Sequence, residues 1–134
     1  MRSRFRSWGV VLGVLWLAAG GCYWLRYDAL ARTHVDLLVS MTTKLEDVTA
    51  QGGGPARMAE YRYPLDRARD FVRIVEGRFA GRDSLRELRE LCSAYERALE
   101  AAVRPGSRGL EAAAGAVRER AAAALAALDL EAAS

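Results

Sequence analysis

Apolar residues in this chain return every three or four positions through four successive stretches. That is the period of one helix face, so the spacing predicts an all-α fold without a sheet. The first stretch carries Leu30, His34, Leu37/Leu38, Met41, Leu45 and Val48. It predicts a helix over 26–49, stopped by Gln51-Gly52-Gly53-Gly54-Pro55, because Gly accepts the left-handed C-cap and Pro cannot continue the helix. Met58, Tyr61, Leu65, Ala68, Val72, Val75 and Phe79 form the second stripe, over 56–80. Its phase runs through Pro64 unbroken, so one helix with a kink is expected there.

A third helix over 84–103 carries Leu85, Leu88, Leu91, Cys92, Tyr95, Leu99 and Ala102. Ser84-Leu85-Arg86-Glu87 has the spacing of a capping box, in which Ser and Glu would satisfy each other's free backbone donors. Pro105-Gly106 ends this helix, and Ser107 is placed to cap a fourth over 108–131. The fourth holds Leu110, Ala113/Ala114, Val117, Ala121, Leu125 and Leu128. Its alanines bury little area each, so it is expected to be the most weakly held. Four helices of similar length with short connections predict an antiparallel up-down four-helix bundle over residues 22–134.

Residues 1–21 belong to a different part of the chain. Arg2, Arg4 and Arg6 precede Trp8–Leu25, an uncharged run reading WGVVLGVLWLAAGGCYWL. As a helix it would be about 27 Å long, at the short limit for crossing a bilayer. Its flanking aromatic residues and N-terminal arginines suit an uncleaved anchor with its N-terminus in the cytoplasm. A basic start, an apolar middle and a small-residue exit also suit an export signal. The exit Leu17-Ala18-Ala19-Gly20-Gly21-Cys22 resembles the lipobox of bacterial lipoproteins. That resemblance covers the first 22 residues only. It implies cleavage before Cys22 and lipidation of its thiol, and Tyr23 in the following position implies export to an outer membrane. Both readings, and simple secretion with them, put the bundle outside the cytoplasm. The lipid contact would come through Cys22 in one case and Trp8–Leu25 in the other, the latter holding the chain in the inner membrane.

Charge and residue chemistry exclude more than they assign. The formal charge of +3 comes from the three N-terminal arginines, since residues 22–134 carry 17 basic and 17 acidic side chains. A balanced, interspersed surface lacks the clustered basic face that nucleic acid needs. His34 is the one histidine and falls on an apolar stripe, Cys92 falls on another, and neither has metal-ligand spacing. Gly52-Gly53-Gly54 has no following Lys-Ser/Thr and reads as a connector, not a phosphate loop. No metal, cofactor or catalytic set is expected.

Tyr61, Arg62, Tyr63 and Arg67, around Pro64, form the most distinctive cluster. Tyr and Arg are enriched at binding hot spots, so these four are the candidate interaction patch, although packing of Tyr61 inside the bundle would serve structure alone. Two functions follow. One is a non-catalytic, membrane-tethered helical module of the bacterial envelope that binds another envelope protein. The other is a small-molecule-binding or sensor-like bundle with a groove at the Pro64 kink. The second is expected to be weaker, because these residues contain neither a second apolar span nor an output domain. A cavity lined by His34, Tyr61 and Tyr95 would favour the ligand; a filled core with exposed apolar groups would favour the partner.

Overall fold

The computed structural model describes the backbone of residues 2–52 and 58–134, and side chains from residue 26 onward within those ranges. Every regular element among them is helical: α1 (Arg2–Ala50), α2 (Met58–Phe79), α3 (Asp83–Val103) and α4 (Leu110–Ala133), with a 3-10 turn at Pro105–Ser107 before α4. The chain divides into two compact units, Met1–Leu30 and Ala31–Ser134. The packing that follows is that of the second. Cys22 and the run Trp8–Leu25 lie outside the residues whose side chains are described.

Cross-helix side-chain pairs give the topology. Arg32 meets Asp129 at 2.6 Å and Arg118 meets Glu46, so α1 and α4 run in opposite senses. Arg69–Glu96 at 2.6 Å and Arg89–Glu76 reverse α2 against α3 in the same way. Ser84 bonds to Glu131, joining the start of α3 to the end of α4. His34 lies against Phe71, with ring centroids 4.9 Å apart, and links α1 to α2. These pairs close an up-down helical bundle.

The core-facing line of α1 is not the expected one. Ala31, Val35, Leu38, Thr42 and Leu45 are buried, whereas Leu30 and Leu37 are exposed and His34, Met41 and Val48 half-buried. The buried line is rotated by roughly a sixth of a turn from the line through the largest residues. Thr42 can occupy it because its hydroxyl donates to Leu38 O at 2.8 Å, so no polar group is left unpaired.

α2 runs unbroken through Pro64, as the stripe predicted. A proline ring crowds the turn before it and removes one hydrogen bond. The loss falls beside Tyr61, whose carbonyl accepts the Tyr95 hydroxyl from α3 at 2.5 Å. α3 and α4 approach each other more closely than α3 and α2. Leu91, Ala94, Ala98 and Ala101 follow Ser84 at three-four spacing along one side of α3, while Ala114, Ala121 and Ala124 are buried on α4. Small side chains let helix axes come to the near end of the usual 8–10 Å range.

Both expected helix caps are replaced. α3 starts at Asp83, one residue early, and its N-cap Arg82 makes no side-chain capping bond. Ser84 therefore sits inside the first turn facing α4, and the Glu131 carboxylate accepts both its N–H, at 3.0 Å, and its hydroxyl, at 2.6 Å. Glu87 pairs instead with Arg86 and Arg120. Ser107 does not cap α4 either; it lies in the 3-10 turn with φ of 51°. Gly109 starts α4 at φ of 81°, a left-handed geometry that glycine adopts without steric cost.

Candidate functional site

The four residues of the expected patch separate onto different sides of α2. Tyr61 is buried and contributes its backbone carbonyl to the bond with Tyr95. Tyr63, two residues on, is 62% exposed, and the Arg67 guanidinium lies 5.9 Å from its ring centroid. Stacking on an aromatic face is a favourable place for a guanidinium, and it holds both side chains as one amphipathic platform. Arg62 is exposed on the flank toward α3, where its charge acts on Glu96. The surface cluster is thus Tyr63 and Arg67, with Arg62 outside it and Tyr61 inside the protein.

The region beneath Pro64 is filled. Tyr95 is fully buried, and burial, with Tyr61 adding to it, pushes its phenol well above the ordinary range. Its hydroxyl is therefore a neutral donor. Pro64, Leu65 and Ala68 are buried beside it. A ligand here would have to displace packed side chains and break the Tyr95 bond.

His34 sits at the α1–α2 seam against Phe71. Its Nδ1 is buried without a hydrogen-bond partner. Burial, and secondarily the charge of Arg67, hold the imidazole below its ordinary pKa. A neutral ring fits this position, since a protonated one would carry an unpaired buried N–H beside another cation. Cys92 is a free buried thiol on α3, and burial raises its pKa to about 11, which suppresses the nucleophilic thiolate. Among the described residues no group of three His, Cys, Asp or Glu side chains could hold a metal.

One concave feature escaped the sequence reading. The ends of α1 and α3 and the start of α4 enclose an open bowl of about 870 Å³, with Glu46, Asp47, Glu111 and Arg104 on its wall. The up-down topology already placed the close of α1 and the connection 104–109 at the same end. The bowl depends on how the helix ends pack there, which periodicity does not encode. Glu46 is already paired with Arg118. The wall thus presents Asp47 and Glu111 against Arg104, with Arg108 in the same connection.

Among the described residues no helix is long and apolar enough to cross a membrane. The chain matches no protein-family model, no curated protein and no solved structure.

Proposed function

We propose that this protein is a membrane-tethered, non-catalytic helical module of the bacterial envelope whose bundle presents Tyr63 and Arg67 to another envelope protein. The observation that supports this over a ligand-binding bundle is the filled interior beneath Pro64, where Tyr95 is buried and bonded to Tyr61 O. The partner reading gains from the exposed Tyr63–Arg67 platform, since anchors of this type concentrate binding energy. Tethering rests on the N-terminal residues, by a lipid on Cys22 after cleavage or by an uncleaved Trp8–Leu25 segment.

A photoreactive side chain at position 63, introduced in cells carrying the full chain, tests the partner. It should give a discrete protein adduct in intact envelopes, while the same group at the exposed Glu100 on α3 should not. Equal or absent adducts at the two positions would overturn the assignment of this face. The tether is tested separately by intact mass. Cys22→Ser should abolish acylation and leave an unprocessed precursor; a native mass equal to the unmodified full chain would replace the lipid anchor with the uncleaved segment.

A further inference from the structure

Leu37, which the core of α1 leaves out, belongs to the same surface as the Tyr63–Arg67 platform. His34 supplies the link. Its ring lies against Phe71 on α2, and the charge of Arg67 acts on it. Arg67 and the Tyr63 ring beneath it therefore border the α1 side of α2. Leu37, 39% exposed, is one turn beyond His34 on the same flank of α1. Ile74, 79% exposed, is one turn beyond Phe71 on α2. Tyr63, Arg67 and Ile74 follow at intervals of four and seven, a single line along an unbroken helix. That line is about 16 Å long at the helical rise. Two adjacent helices thus expose Leu37, Tyr63 and Ile74 around one guanidinium.

The charges of this face suit a partner that brings a carboxylate. Arg67 makes no ion pair among the described residues and rests on the Tyr63 ring. Asp70, on the same line, pairs with Arg73, and Asp66 acts on Arg69. A guanidinium edged by apolar groups gains most from a carboxylate that arrives with apolar cover, because the pair is then shielded from water. A second copy of this chain cannot supply that. A two-fold axis through the middle of the 63–74 line would pass close to Arg67 and set it against its own copy. A helix offers both features at once. Its apolar residues at three-four spacing match a line of this length, its border can carry the acidic group, and neighbouring helices leave a furrow that a third can fill.

We propose that the face formed by Leu37, Tyr63, Arg67 and Ile74 receives an amphipathic helix of the partner protein, whose apolar stripe lies along Tyr63–Ile74 and whose border supplies a carboxylate to Arg67. This rests on the partner reading above and adds the shape and charge of what binds.

The test uses the full chain in neutral detergent micelles and a fluorescent helical peptide of about five turns. The peptide has leucines at three-four spacing and glutamates along one border of that stripe; a second peptide has lysines in their place. Empty micelles give the baseline. The glutamate peptide should bind more tightly than the lysine one by about fivefold. Arg67→Glu should reverse that preference, and Ile74→Ser should weaken the glutamate peptide by about tenfold, both at unchanged helical content. Arg62→Glu, on the α3 flank of α2, should leave the preference in place. Equal binding of the two peptides, no binding above the baseline, or a preference that survives Arg67→Glu would overturn the proposal. Photoreactive side chains in intact envelopes separate this failure from that of the partner reading. Adducts with one and the same protein at 37, 63 and 74 support the helix along this face. An adduct at 63 without one at 37 or 74 keeps the partner and sinks the helix. No adduct at 63, or a dimer of this chain there, sinks both.

Discussion

His34 is the residue whose environment makes the clearest demand on solution conditions. Its folded pKa is held below the ordinary value of 6.5, first by burial and then by Arg67. The unfolded chain consequently binds more protons than the folded one between those two values. The stabilisation that comes from keeping His34 neutral is complete above the ordinary value, falls as pH drops through it, and levels off below the folded value. Urea unfolding at about pH 8 and about pH 5.5 should show this decline, and His34→Gln should shrink it. An identical pH dependence in the variant would assign the effect elsewhere, such as to Glu96, whose hydrogen bond with Arg69 holds its carboxyl low and whose contribution is lost in stronger acid. Tyr95 shows the same principle in a group that never titrates in this range. Once buried beside Pro64, its hydroxyl serves as a fixed donor to the disturbed turn.

At the scale of single helices, α3 and α4 depend on each other. The first turn of α3 is capped by a carboxylate that arrives from the last turn of α4, so each stabilises an end of the other. Glu131→Ala should cost about 1–2 kcal/mol in chemical denaturation, and Glu131→Gln should recover part of it by keeping an acceptor. The alanine seam is the second dependence. Ala98 is fully buried on the side of α3 that also carries Ser84. Ala98→Leu adds volume that the seam cannot accept and should destabilise by about 1–3 kcal/mol. At the exposed Ala112 the same change should stay within about 0.5 kcal/mol. A neutral Ala98→Leu would mean that α3 and α4 sit farther apart than described. The alanines of α4, which promised a weakly held helix by area alone, gain contact through this close approach.

For the molecule as a whole, the core line of α3 is the test of the bundle. Leu88 is 1% exposed between its neighbours. Leu88→Asp would bury an unpaired charge, at a cost of about 4 kcal/mol or more, a large part of the stability of a domain this size. Loss of cooperative thermal unfolding by circular dichroism is the expected outcome. A variant melting with the parent would show that another face of α3 is inside.

Much of this architecture was legible in the sequence, because helix period and helix breakers are local properties of the chain. The stops near Ala50, Phe79 and Val103, the passage through Pro64 and the buried stripes of α2 and α3 all follow from spacing and from Gly or Pro. What required the tertiary structure were choices among equivalent local options. Hydrophobic size favoured Leu30 and Leu37 for the core of α1, but neighbours able to approach closely put Ala31, Val35 and Thr42 there instead. Ser84 and Glu87 could have capped each other locally, yet a better-placed acceptor 47 residues away took the bond. Tyr61 and Tyr63 are chemically alike and two residues apart in sequence. Two residues are about 200° of helix, and which of the pair faces water depends on where the other helices lie. Local periodicity determines that a helix forms and how wide its apolar face is; packing against the rest of the chain decides which way that face turns.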